Sequence, residues 1–296
     1  MISRRKAFER RAGAWLFALF ERRFSRKDAI AAEESGARLG RLAYRLSRKH
    51  RRRALANLAL AMPELEPSER ERIARGVFEH FGRITGDFMR SGVRSDSELL
   101  QSLEVVGMEH ADEARSLGTG LLAVTGHFGN WERMAHWFAA QGGTITVVAR
   151  DANDPGLNQQ VQRLRNRPGF EVLSRGRSTR TLIERLKEGA IVALLPDQNS
   201  GESFVPFFGK PAGTVLGPAK LHQMTGAPLL PVFCARTGPA RYQVRVFPVI
   251  NVGKAECAEA IMARINLAIE EIVREYPDQW LWLHDRWRSA RERGLF

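Results

Sequence analysis

Three features of the sequence predict an α/β protein, built on a mixed, mostly parallel central sheet flanked by helices and carrying an N-terminal helical basic arm. Strand candidates recur at 121–125, 145–149, 170–173, 191–195, 229–235 and 242–249, with 121–124, 191–195 and 229–235 continuously apolar. Stretches of helical period lie between them near 130–141, 156–166, 178–187 and 213–225. Apolar runs without polar alternation suit strands covered on both faces, and their alternation with helices is the pattern of parallel βα units. The third feature is a long strand-free stretch at the beginning of the chain, which carries most of the charge.

The arm comes first in order. Residues 1–53 hold 17 Lys and Arg against 5 Asp and Glu, a balance of +12, while the whole 296-residue chain carries only +13. A basic segment this local calls for a polyanion: an anionic membrane surface, an acidic carrier protein or nucleic acid. On a helical wheel Phe8, Ala12, Trp15, Leu16 and Leu19 share one side, with Arg4, Arg5, Lys6, Arg10, Arg22 and Arg23 close in sequence. That is the pattern of a helix lying in a membrane interface. The apolar block 12–20 falls well short of the roughly 20 residues a spanning helix needs. A helix docked wholly on its own core is the alternative.

From 29 to 90 the chain keeps helical character. Leu39, Leu42, Ala43 and Leu46 hold helical spacing, and a helix closes at Pro63. The next begins near Pro67-Ser68, with Ser68 as the expected cap and Glu71 as its capping-box partner. No repeat, low-complexity segment or linker suggests a further globular unit. The expected organisation is therefore an arm over 1–28 and one α/β domain over 29–296, whose part 29–100 is helical. A content of 44% hydrophobic residues is enough to bury such a core.

The richest chemistry sits where the first long apolar run turns into a helix: Gly126-His127-Phe128-Gly129-Asn130-Trp131-Glu132. The flanking glycines permit close backbone approach to a ligand. A carboxylate that accepts from one imidazole nitrogen fixes the tautomer and leaves the other nitrogen free to take a proton from a hydroxyl. Glu132, in the first helical turn, is the expected partner of His127. A satisfied structural histidine is the competing interpretation. Backbone N–H groups near 126–130 are expected to stabilise an oxyanion.

Arginines cluster at expected strand and helix ends: Arg150, then Arg163, Arg165 and Arg167, then Arg175, Arg177 and Arg180. Ligands of α/β proteins bind beyond the carboxyl ends of strands, and guanidinium forks suit phosphate bidentately. Solvated helix faces are the alternative for each arginine. Asp197 follows the run 191–195 and Pro196; it fits either a site carboxylate or a turn cap. Phe204, Phe207 and Phe208 read as packing residues, or as an acyl-channel wall if exposed to a groove, and Trp280, Trp282 and Trp287 as core or an interfacial belt.

Thr125-Gly126-His127-Phe128-Gly129-Asn130-Trp131-Glu132 resembles the first motif of the lysophospholipid acyltransferase superfamily, specifically its bacterial lipid A late (lauroyl/myristoyl-type) acyltransferase branch. The resemblance continues through the blocks 196–201, 204–212 and 226–232. It ends in Gln279-Trp280-Leu281-Trp282-Leu283-His284-Asp285-Arg286-Trp287, so that it spans roughly 36–288. It implies an acyltransferase that moves a fatty acyl chain from acyl carrier protein to a hydroxyl of a phosphorylated glycolipid, a lipid A precursor of the Kdo2-lipid IVA type. Catalysis then falls to His127 and Glu132. Substrate binding falls to Asn130, Arg150, Arg163, Arg165, Arg177, Asp197 and Gln198, with Arg165 favoured by its Arg-x-x-x-Gly setting. No metal or organic cofactor is implied. A phosphatidylinositol mannoside acyltransferase using acyl-coenzyme A is the alternative within the branch. Many relatives carry an N-terminal transmembrane segment, whereas this arm is short of one, so the expected location is the cytoplasmic face of a bacterial inner membrane, held peripherally.

Other chemistries fit less well. There is no Gly-x-Ser-x-Gly elbow, and Cys234 and Cys257 carry no nucleophile motif or metal-like spacing. His127, Glu132 and His136 lack the His-Glu-x-x-His zinc signature. A basic nucleic-acid-binding protein would explain the arm but not the His127 turn, and no recognition motif accompanies it.

Overall fold

The computed structural model describes residues 4–149, 154–166, 168–174, 179–253 and 255–296. Five helices precede the sheet's interior: α1 (Arg4–Phe24), α2 (Ala29–Leu46), α3 (Arg48–Ala61), α4 (Pro67–Met89) and α5 (Asp96–Ser102). Then follow β1 (Leu103–Val106), α6 (Met108–Ser116), β2 (Leu121–Val124), α7 (Trp131–Ala140), β3 (Ile145–Ala149), α8 (Pro155–Arg165), β4 (Phe170–Ser174), α9 (Thr179–Lys187) and β5 (Ile191–Leu194). A hairpin of β6 (Ser203–Phe207) and β7 (Lys210–Thr214) leads to α10 (Gly217–Thr225), β8 (Leu229–Gly238), β9 (Arg241–Val246), α11 (Ala258–Glu275) and α12 (Arg288–Glu292).

Among the described residues the main sheet has seven strands in the order β1-β9-β8-β2-β5-β3-β4, and only the β8–β9 pairing is antiparallel. The fold is therefore the mixed, mostly parallel sheet that the apolar runs predict. β2 is buried on both faces. Leu122 and Val124 point into a core shared with α3, α4, α9, α10 and α11, while Leu121 and Ala123 point toward α6 and α7.

Two local expectations change. The residue preceding α4 is Glu66, with Pro67 in the first turn, and no side chain caps the helix; Glu71 instead accepts a hydrogen bond from Tyr44. Proline supplies its own helical φ there, so a start at Pro67 needs no Ser68 cap. In α2 the spacing of Leu39, Leu42 and Leu46 marks the exposed side, not the core side. The buried side carries Gly36 and Gly40, which lie against the α4 backbone so closely that a Cβ at Gly36 would stand 2.0 Å from the Gly82 carbonyl oxygen. Backbone-to-backbone packing needs small residues, and it leaves the large apolar ones outside.

α1 rests on α4 and α8, with Phe24 buried and the Ala14 carbonyl accepting from Gln160 at 3.2 Å. Trp15, 66% exposed, and Leu16, Leu19 and Phe20 face outward. The side chains of Phe8, Ala12 and the arginines up to Arg11 lie outside the described residues. Among the described residues no helix is long and apolar enough to cross a membrane.

Candidate active site

The parallel register of β2 on β5, with Val124 opposite Leu194, brings the two strand ends together. Beyond β2 the chain runs through Thr125 to His127; beyond β5 it runs through Pro196 to Asp197 and Gln198. The carboxylate that the strand pairing delivers to His127 is Asp197. Its Oδ1 stands 2.8 Å from His127 Nδ1, and its Oδ2 accepts from the His127 backbone N–H at 2.7 Å and from Trp280 Nε1 at 2.9 Å. With Nδ1–H donated to Asp197, Nε2 presents its lone pair, and the Gln198 side-chain amide meets it at 3.2 Å.

Electrostatics follow from this geometry. Asp197 is only 2% exposed. Burial by itself would raise its pKa, but His127 and the N–H donors of His127 and Trp280 hold it below the ordinary carboxylate value. Burial would likewise depress His127, yet the charge and hydrogen bond of Asp197, with the charge of Glu132 adding, lift it above the ordinary 6.5. The imidazolium is thereby stabilised where a base must accept a proton.

Glu132 does not orient His127. It sits in the first turn of α7 and grips the Arg165 guanidinium with both oxygens, one contact being Nε to Oε2 at 3.0 Å. Arg165, in the last turn of α8, also lies over the Phe88 ring at 6.0 Å. Five residues of separation carry Glu132 around the helix start toward α8, and its effect on His127 is through-space charge. Arg165 thus borders the site through Glu132.

The remaining expected residues divide. Asn130 is buried: its side chain accepts from the Arg133 N–H at 3.0 Å, capping α7, and donates to Asp87 at 2.8 Å. It builds the turn and has no face for substrate. Arg163 pairs with Glu21 of α1. Gln198 stands at Nε2. Arg150 and Arg177, with Arg167 and Arg175, lie outside the described residues.

The turn itself is pinned from several sides. Gly129 adopts φ +54°, and a Cβ there would stand 1.8 Å from the Cys234 carbonyl oxygen. Its N–H donates to the Gln279 carbonyl at 2.9 Å, the Asn130 N–H to Cys234 at 2.9 Å, and the His127 carbonyl accepts from Leu281 at 3.1 Å. The N–H groups of His127, Gly129 and Asn130 are therefore engaged within the protein, so three of the expected oxyanion donors over 126–130 are already used. Below the turn, Asp87 of α4 joins buried Arg94 and Arg133, each at 2.6 Å.

Trp280, expected in the core or in an interfacial belt, is buried and also donates its Nε1–H to Asp197. Phe207, Trp280, Trp282 and Trp287 pack together, with Trp280 and Trp282 centroids 4.7 Å apart, so Phe207 and Phe208 are core and form no channel wall. Buried Arg286, whose pKa burial lowers to about 10, donates to the carbonyls of Gly213 and Gln198 and to Thr214. His284 Nε2 accepts the Asn199 N–H at 2.9 Å. Among the described residues no group of three His, Cys, Asp or Glu is placed to hold a metal ion.

A mostly apolar cavity of about 280 Å³ lies between the sheet and helices α6 and α7. Ala123, Ala193, Val232, Met134 and Trp137 are among its walls, Arg115 and Gln141 are among its polar members, and Thr125 lines it where β2 ends. Its size is just below the roughly 300–1,000 Å³ of small-molecule pockets.

An imidazole with a buried carboxylate partner, at the carboxyl edge of a mostly parallel sheet, is placed to exchange a proton with a hydroxyl. The model of the bacterial lipid A biosynthesis acyltransferases matches residues 3–289, and the chain belongs to that family. It is 30% identical to the lipid A biosynthesis lauroyltransferase of Escherichia coli K12 over 87% of this chain and 85% of that one. It is equally 30% identical to a phosphatidylinositol mannoside acyltransferase of Mycobacterium tuberculosis, over 71% of this chain and 68% of that one. A crystal structure of a 1-acyl-sn-glycerophosphate acyltransferase from Thermotoga maritima aligns with a TM-score of 0.39 at 18% identity, covering 69% of this chain and 88% of that one. The protein is an acyltransferase.

Proposed function

We propose that the enzyme moves a fatty acyl chain from the thioester of acyl carrier protein to a hydroxyl of a phosphorylated, acylated disaccharide, a lipid A precursor of the Kdo2-lipid IVA type. The observation that carries this reading is the His127–Asp197 pair: Nδ1 is tied down at 2.8 Å, which leaves Nε2 to take the acceptor's proton. The acceptor oxygen then attacks the thioester carbon in a ternary complex, and the apolar cavity beside β2 receives the chain. Glu132 and Arg165 form the rim by which the acceptor's phosphate reaches the site.

Attachment to an anionic membrane, at the cytoplasmic face of a bacterial inner membrane, belongs to the same reading. The outward Trp15, Leu16, Leu19 and Phe20 supply shallow burial, and the +12 balance of residues 1–53 supplies attraction. Transfer from acyl-coenzyme A to a phosphatidylinositol mannoside is the second reading, favoured by the equal identity to the mycobacterial relative.

Mass spectrometry of lipid A from cells with and without the gene tests the acceptor, and loss of one acyl chain on deletion is expected. Purified protein offered the same chain on acyl carrier protein and on coenzyme A tests the donor. Unchanged lipid A together with acylation of phosphatidylinositol mannoside would replace the first reading by the second.

A further inference from the structure

Thr125 directly follows β2, and its backbone N–H donates to the Leu194 carbonyl at 3.0 Å. The residue is only 2% exposed, and Oγ1 has no hydrogen-bond partner among the described residues. That is unusual, because a buried hydroxyl left unpaired loses its water bonds for nothing and costs stability. Valine would fill the same space on the same strand without that cost. Thr125 lines the apolar cavity and stands two residues along the chain from His127. A partner that enters with a ligand would satisfy it.

The chemistry of the site narrows that partner. An acyl chain in the cavity has one polar end, the thioester, and its carbonyl oxygen takes on negative charge as the acceptor adds. Three backbone donors of the turn, on His127, Gly129 and Asn130, are already bonded to Asp197, Gln279 and Cys234. Charge on the carbonyl oxygen calls for a donor that is not already engaged, and the Thr125 hydroxyl is one.

We propose that Thr125 is a catalytic residue whose hydroxyl donates to the thioester carbonyl oxygen and stabilises the oxyanion. The proposal rests on the acyl-transfer reading above. The acceptor O–H proton passes to His127 Nε2 as the new C–O bond forms and the carbonyl π pair moves onto oxygen, where the Thr125 hydroxyl holds it. The pair then re-forms C=O, the C–S bond breaks, and the departing thiolate takes the proton from His127.

The test compares the wild type with Thr125→Val, Thr125→Ser and His127→Ala, using dodecanoyl-acyl carrier protein and dodecanoyl-coenzyme A as donors. Kdo2-lipid IVA and phosphatidylinositol mannoside in detergent serve as acceptors, and thiol release is followed. Thr125→Val should lower kcat on the order of 10²–10³-fold with KM unchanged. Its melting temperature should equal or exceed the wild type's, because the orphan hydroxyl is gone, and Thr125→Ser should restore most of the rate. Wild-type kcat in Thr125→Val, or a raised KM with kcat unchanged, overturns the proposal. So does a lowered melting temperature with Thr125→Ser equally impaired, which marks a packing role. Inactive His127→Ala beside fully active Thr125→Val removes only the Thr125 assignment. Full activity in His127→Ala, or no thiol release by the wild type, removes the acyl-transfer reading itself.

Discussion

Replacing Asp197 by asparagine should disable the enzyme by turning the imidazole's protons around, and the structure says which way. Two donors converge on Oδ2, the His127 N–H at 2.7 Å and Trp280 Nε1 at 2.9 Å, against one nitrogen at Oδ1. The asparagine oxygen must occupy the Oδ2 position, because the opposite placement would set an NH₂ against two N–H groups in a buried site. The NH₂ then faces His127 Nδ1, which must become the acceptor. Nε2 acquires the proton and can no longer take one from the acceptor hydroxyl.

The expected loss is on the order of 10²–10⁴ in kcat, the usual worth of a general base. A higher pH should not recover it, since the fault is the tautomer and not protonation. The wild type behaves differently: with His127 raised above 6.5, its acid limb lies above that value and activity climbs as pH rises through it. The linkage sign runs opposite to activity. The raised His127 contributes stability that is fully present below pH 6.5 and is lost as pH rises through its folded value, so the most stable protonation state is the inactive one. The lost charged hydrogen bond costs about 1.5–3 kcal/mol, which a fold stable by roughly 5–15 kcal/mol survives. Thiol release across pH 5–9 with ¹⁵N spectra of His127 measures both effects. Asp197→Asn activity within tenfold of wild type, or a surviving Nδ1–H signal, would refute the reasoning.

Glu132→Gln and Arg165→Ala should each lower activity, and together they should cost little more than either alone, with a coupling of about 0.5–3 kcal/mol in a double-mutant cycle on kcat/KM. Gln198→Glu should place a carboxylate at Nε2, raise the His127 pKa further and move the acid limb of kcat to higher pH, with activity recovered in alkali. For the arm, high salt alone should release part of the protein from anionic vesicles, because charge, worth about 1 kcal/mol per basic residue at the surface, is screened within roughly 8 Å. Trp15→Glu with Leu19→Glu in high salt should release most of it, and sedimentation across a salt series measures the difference.

The sheet was legible because its interior strands are apolar on both faces, as β2 shows, and such runs cannot be anything solvent-facing. β1 escaped notice for the opposite reason: it is short, lies at the edge, and alternates with Glu104 and Val106 exposed. Helical spacing in α2 disclosed the helix but not its inner side, because glycines do the packing there. At the site, His127 stood out through its glycine-flanked turn, yet its carboxylate partner did not. Glu132 is near in sequence, while Asp197 lies 70 residues away and is delivered only by the β2–β5 register. Arg163 and Asn130 carry the right chemistry, but their partners Glu21 and Asp87 belong to helices whose placement no local pattern reveals.

The distant segments of the chain that resemble the family converge because each holds another in position. The β2 turn supplies His127, and the β5 loop supplies Asp197. The segment 279–281 pairs with the turn through Phe128 and Trp280 and also donates the Trp280 N–H to Asp197. Arg286 reaches back to the Gln198 carbonyl, and His284 to the Asn199 N–H, so the loop carrying Asp197 is braced from beyond its own strand. A buried guanidinium is costly unless its donors are met, and here Gly213, Thr214 and Gln198 meet those of its two terminal nitrogens. The hairpin β6–β7 thus supports the β5 loop through Arg286 without touching the reacting atoms. Catalytic geometry in this enzyme is therefore a property of strand register and of the carboxyl-terminal brace together, and a change at Arg286 should act on His127 by way of Gln198 and Asp197.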